Sequence, residues 1–154
     1  MSHIHEKIDF TVGAFIVHED KVLLRMHDKY KMWLDVGGHI DLGEDPIEAL
    51  YREVKEESGL EIELLTEAKL FSNDTKDLPM PQFINRHRTG DDHEHVDLIY
   101  VARAKTTDIK PDASEADTEF HWFTSDELDD ATYNLAPHTK EHAKQAIKLV
   151  SLSS

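Results

Sequence analysis

The stretch from Asp45 to Leu60 constrains the fold more than any other, because both ends of a helix and the direction of its apolar face are written in it. Asp45 can cap, Pro46 suits the first helical position, and Glu48 stands three places beyond the cap, where a capping box carries its acid. Gly59 stops the helix. At about 100° per residue, Ile47, Leu50, Tyr51 and Val54 share one stripe that should face a core. Glu53, Glu56 and Glu57 fall on an arc beside that stripe, with Glu57 only about 20° from Leu50 on the wheel. A solvated face would sit opposite.

Carboxylates at i, i+3 and i+4 repel, by about 0.2–0.5 kcal/mol for an exposed pair and by more where water is partly excluded. Arg52 and Lys55 relieve part of this, and Glu48 is spaced to pair with Arg52, but neither cation points from the middle of the arc. Glu57, pressed against the apolar edge, should destabilise the metal-free fold unless a buried basic partner meets it. A Glu-rich surface helix would carry the same residues, since Glu is a good helix former. A divalent cation is the other solution, and clustered carboxylate oxygens with water suit Mg²⁺ or Mn²⁺.

The spacing separates these readings. From Gly38 the chain runs five residues to Glu44, seven more to Arg52-Glu53, then apolar Val54, one residue, Glu56-Glu57, one residue, Gly59 and apolar Leu60. This segment resembles the Nudix box, with every fixed position filled. The resemblance implies a Nudix-like α/β/α sandwich with a mixed β-sheet, and hydrolysis of a nucleoside diphosphate linked to another group. It also implies Mg²⁺ or Mn²⁺ held by Glu53, Glu56 and Glu57 with the carbonyl of Gly37, and an Arg52 that orients the glutamates. Glu44 becomes a supporting residue. A late carboxylate before an aromatic strand often completes such a site; Glu115 and Glu119 both qualify, and Glu115 is preferred. Many family members have a proline before the paired glycines, where this chain has Asp35-Val36. The proline or tyrosine that marks some subfamilies a little beyond the box is missing around Lys76, so no substrate signature is assigned.

The flanks read as a sheet. Ile8 to Val17 and Val22 to Met26 are β-rich and joined by a polar turn, which makes a hairpin. Met32 to Val36 leads into the glycine loop; Trp33 there suits core packing, with substrate stacking as the alternative. Glu61 to Phe71 reads as a strand and Ser72 to Asp92 as a long loop, whose Arg86 and Arg88 could meet substrate phosphates or simply balance local charge. Val96 to Ala102 is a central strand. His93 and His95 invite a metal reading, although in a chain of 11 histidines a close pair is weak evidence. Phe120 to Thr124 is a short strand, Ser125 starts a brief helix, and Pro137 opens a terminal helix with Ala143, Ala146, Ile147 and Val150 on one face.

The 154 residues suit one domain, 1–154, with no repeat or linker dividing it. Seventeen basic against 32 acidic residues give a formal charge of −15, which argues against a nucleic-acid duplex or an anionic membrane as partner. A small nucleotide-like diphosphate is compatible if metal ions screen the site. There is no cysteine, hence no thiol nucleophile, and no leader or membrane-spanning run is evident, which points to the cytoplasm. A homodimer stays open. The rival readings are a nucleotide-sensing module and a non-hydrolytic diphosphate isomerase on the same fold.

Overall fold

A computed structural model describes residues 6–70 and 72–153. Its centre is β1 (Ile8–His18), whose apolar run is buried on both faces as expected of an inner strand. Val12, Ala14 and Ile16 point to one side and join a core with Ala49, Leu50 and Val54 of α1 (Pro46–Ser58). Phe15 and Val17 point to the other and join Ala143 and Ala146 of α3 (Pro137–Leu152). The result is helix, sheet, helix, an α/β/α sandwich.

The main sheet has eight strands. On β1 lies β9 (Glu94–Ala104) in parallel, from Ile8 opposite Glu94 to Val17 opposite Arg103. The other pairings are antiparallel, so the sheet is mixed. β9 also carries β5 (Ile62–Leu64) and β8 (Phe83–Arg88). The second edge of β1 is shared. Ile16 to His18 pair with β2 (Lys21–His27), while Thr11 to Ala14 pair with β4 (Val36–His39). β3 (Met32–Leu34) and β10 (Phe120–Thr124) flank β2. The sheet therefore forks between β2 and β4, and α1 crosses the β4 side of that fork.

Local signals account for α1. The Asp45 carboxylate accepts from the N–H groups of Ile47 and Glu48, and Gly59 ends the helix at φ 71°, donating to the Lys55 carbonyl. The return bond from Glu48 that would make a capping box is not formed here; it occurs instead at Thr124 and Glu127, which open α2 (Ser125–Leu128). The buried stripe is Ala49, Leu50, Val54, Glu57 and Ser58, and Tyr51 stands outside it, 44% exposed.

Two segments depart from the sequence reading. Glu61 to Phe71 is not one strand: β5 stops at Leu64, β6 (Lys69–Leu70) pairs with β7 (Lys76–Asp77), and Phe71 lies outside the described residues. Ser72 to Asp92 is not simply a loop, since it contains β8. Asn85 and His87 put polar groups on one face of that edge strand and Arg86 and Arg88 on the other, so no apolar alternation was there to read. No described helix is long and apolar enough to cross a membrane.

Candidate active site

The fork opens a cleft of about 460 Å³ lined by Arg25 from β2, Asp35, Gly37 and Gly38 at the β4 side, and Glu53 and Glu57 from α1. Gly38 has a steric reason to be glycine: a Cβ there would stand 2.4 Å from the Glu53 carboxyl carbon. At Gly37 a Cβ would meet the Val12 carbonyl oxygen at 2.0 Å, on the neighbouring strand.

Glu57 is 6% exposed, and its two oxygens are both engaged. Oε2 accepts from the Gly37 N–H at 2.9 Å, and Oε1 lies 2.9 Å from Nη2 of Arg25. Burial nonetheless pushes the Glu57 carboxyl up to about 7, against the pull of Arg25 and the Gly37 N–H, with Glu53 and Glu115 adding to the rise. Arg25 is the buried basic partner that the helix alone could not reveal. Its Nε is buried without a hydrogen-bond partner, a cost accepted in holding Glu57.

Arg52 ties the rest of the box together. Its Nε and Nη2 grip both oxygens of Glu44 at 2.6 and 2.9 Å, Nη1 reaches Glu53 at 2.8 Å and Glu56 at 3.5 Å, and Nη2 also donates to the His39 carbonyl. The hydrogen bond from Arg52 holds the Glu44 carboxyl down at about 2. Arg52 thus pairs with Glu44 where the spacing had offered Glu48. Five carboxylates, Asp41, Glu44, Glu53, Glu56 and Glu57, meet two guanidiniums. The excess of carboxylate and the all-oxygen donor set fit a divalent hard cation.

The remaining expected residues spread more widely. Glu115 sits on a turn of 3₁₀ helix, accepts from the Thr118 hydroxyl, and its charge is felt at Glu57. Glu119 is exposed. Trp33 is in the core against Phe123 and Tyr133, with ring centroids at 5.2 and 6.3 Å. Arg86 pairs with Glu94 and lines a separate surface hollow. Arg88 lines that hollow too, and also the edge of a cavity of about 310 Å³ that adjoins the cleft.

That cavity is walled by Phe15, Tyr30, Met32, Leu34 and Ile99, with Asp35, Asn85, Asp97 and the imidazoles of His87, His138 and His142 among its polar groups. Asp35, Asp97, Tyr30 and Leu34 also line the cleft, so the two spaces are continuous. Asp35 lines both spaces, and burial, reinforced by the Asp97 charge, pushes its carboxyl up to about 8. Asp97 is likewise raised by burial, although the Thr11 hydroxyl donates to it at 2.9 Å. Arg25 and Asp97 escaped the sequence reading, yet each left a signal: a charged residue inside an otherwise apolar strand is expensive to bury without a purpose.

A glycine-lined cleft over a carboxylate helix, set in a forked mixed sheet between helices, defines a protein of the Nudix class. A family model described as the NUDIX domain matches residues 7–148, and the chain belongs to the Nudix family. A Nudix-family hydrolase from Clostridium perfringens has a similar structure, with 32% identity, 92% of this chain and 97% of that one covered, and a TM-score of 0.81. The chain is 28% identical over 98 residues to a probable DHNTP pyrophosphohydrolase of Lactococcus lactis subsp. cremoris (strain MG1363), covering 64% of this chain and 55% of the relative. It is also 28% identical over 112 residues to the NAD-capped RNA hydrolase NudC of Vibrio vulnificus (strain CMCP6), covering 71% and 36%. The matched regions are thus about half and about a third of those relatives' lengths.

Proposed function

We propose that the protein is a Mg²⁺- or Mn²⁺-dependent pyrophosphohydrolase that cleaves the diphosphate of a small nucleotide-like molecule, acting as one cytoplasmic domain. The observation that carries this reading is the charge surplus of the box beneath Gly37 and Gly38, in a cleft that continues into an apolar cavity. Glu53, Glu56 and Glu57, with the Gly37 carbonyl and Glu115, are the residues to hold the cation. When bound, it would offset charge on the diphosphate and make an attacking water more acidic. Arg52 orients Glu53 and Glu56, and Arg25 fixes Glu57 at the mouth of the glycine loop. Arg88, which lines the cavity, supports a contact with the outer part of the substrate, while Arg86 pairs with Glu94 and Trp33 packs on Phe123.

The cavity suits a planar heterocycle. Asp35 keeps its proton near neutrality, so with Asp97 it presents one hydroxyl donor and several acceptors to a ring edge that offers both N–H groups and acceptors. The Lactococcus relative is named a probable DHNTP pyrophosphohydrolase, which supports pyrophosphohydrolysis as the reaction class. Release of phosphate or pyrophosphate from a panel of nucleoside triphosphates, pterin triphosphates, nucleotide sugars, ADP-ribose and dinucleoside polyphosphates tests the proposal. Turnover of one class with Mg²⁺ or Mn²⁺ is expected. Binding without turnover across the panel would instead mark a sensor, and conversion without phosphate release an isomerase.

A further inference from the structure

A second group of metal-type donors lies on the rim of the same cleft and shares no side chain with the box. β1 and β9 run parallel with Asp9 opposite His95, β8 places His87 opposite His95, and β4 places His39 opposite Thr11, next along β1 on the same face as Asp9. His93 lies two residues before His95, just ahead of β9, and so on the same face. The strand register therefore gathers one carboxylate and four imidazoles.

Their atoms converge. Asp9 Oδ2 is 2.8 Å from His93 Nε2 and 3.7 Å from His39 Nε2. One ligand atom each from Asp9, His93 and His95 can be chosen within 4.8 Å of one another. The His95 ring centroid is 4.9 Å from that of His39, 5.4 Å from His93 and 5.5 Å from His87. All three members of the core set are half-buried, which leaves an approach for an ion. Packing imidazoles this closely is unfavourable if they are charged. Neutral imidazole is the form that binds metal.

We propose that Asp9, His39, His93 and His95 form a second metal site, for a borderline divalent ion of the Zn²⁺ class. Nitrogen-rich sets select such ions, whereas the carboxylates of the box suit Mg²⁺ or Mn²⁺, so the two sites differ in chemistry although they share a cleft. Donor atoms of Asp9, His93 and His95 already lie within 4.8 Å of one another and His39 Nε2 within 3.7 Å of Asp9, so an ion with bonds of about 2.0–2.1 Å would draw together groups that are already neighbours. The site does not depend on the hydrolase reading.

The test titrates Zn²⁺ into the full chain in excess Mg²⁺ by calorimetry, and substitutes Co²⁺ to read its visible absorption. One tight site is expected, with the strong bands of four-coordinate Co²⁺. Asp9→Ala and His95→Ala should each weaken Zn²⁺ binding at least tenfold, with folding checked by circular dichroism; His39→Ala, at an exposed position, replaces His95→Ala if that variant does not fold. Glu56→Gln should keep the Zn²⁺ site, and so should His3→Ala/His5→Ala, which alters two histidines outside the described residues. Parent affinity in the Asp9 and His95 variants would overturn the proposal, leaving only histidines paired with Asp9. Loss of the site in the His3/His5 variant, or only the weak bands of six-coordinate Co²⁺, would overturn it equally.

Discussion

Glu57→Gln in metal-free protein separates burial from metal binding, because the two act on Glu57 with opposite sign. Its folded carboxyl titrates at about 7 against an ordinary 4.5, with burial as the leading cause. Below pH 4.5 the group is protonated in folded and unfolded chains alike, and its contribution to stability is fully present. As pH rises through 4.5 to 7 the unfolded chain ionises first, so stability is lost. At about 1.4 kcal/mol per pH unit the loss comes to roughly 3 kcal/mol by pH 7. Gln keeps the acceptor for the Gly37 N–H and removes the titration. It also leaves Arg25, itself largely buried, without a counter-charge, which for a buried pair costs on the order of 3–5 kcal/mol. Stability at pH 7 is then a near-balance of two opposed terms, which is the exception that a buried basic partner for Glu57 was expected to make. The slope is free of this balance. Urea denaturation in EDTA at pH 5, 6, 7 and 8 should show the parent losing about 2.5 kcal/mol more than Glu57→Gln across the range, since part of the loss has already occurred by pH 5. Parallel curves would refute the reasoning. With Mn²⁺ at a hundredfold excess over Kd the parent should gain about 2.7 kcal/mol, and the variant should forfeit most of it.

Further outcomes follow from the same geometry. Glu56→Gln should lower turnover by orders of magnitude at saturating Mg²⁺, whereas Glu63→Gln, outside the box, should change it little; steady-state kinetics on the substrate found by the panel decides. Turnover should rise from acid toward alkaline pH, since crowded carboxylates must shed protons to bind metal, and a pH profile that peaks near 5 would contradict this. Gly37→Ala should unfold or inactivate the protein, because the new Cβ meets backbone on the next strand, and thermal melts would show it. Leu50→Ala should cost about 2–5 kcal/mol in denaturant titration, as a fully buried Leu against the sheet.

How much of this was legible follows from the range of each interaction. The box helix, its cap at Asp45, its stop at Gly59 and the place of Glu57 beside the apolar stripe all depend on residues within a few positions, and a helical wheel finds them. Tyr51 was misplaced because the buried arc is centred near Leu50 and Glu57 and extends toward Ala49, which leaves Tyr51 beyond its far edge. Arg25 is 32 positions from Glu57, and Asp97 is 86 from Thr11; such pairings exist only once β2, β4 and β9 have found β1. The His93–His95 pair looked ornamental for the same reason. Asp9 and His39 reach it only through strand register.

The distribution of cations makes the case for metal from a second direction. In a chain of net charge −15, a diphosphate must find positive charge at the site or bring it. The two guanidiniums at the box are already engaged, Arg25 on Glu57 and Arg52 on Glu44, Glu53 and Glu56. Arg86 is engaged by Glu94, away from the cleft. Lys29 and Arg88 stand at the edges of the cleft and the cavity, where they can steer a phosphate but do not offset the surplus carboxylates on α1. Adding substrate phosphates to that surplus without a cation would place like charges together in a partly dehydrated cleft, where repulsion is stronger than in water. On the proposed reading the arginines that hold the glutamates in order leave the phosphates to be met by an ion, and replacing Arg52 by Lys, which cannot grip Glu44 with a planar fork, should loosen ion binding before it touches the fold.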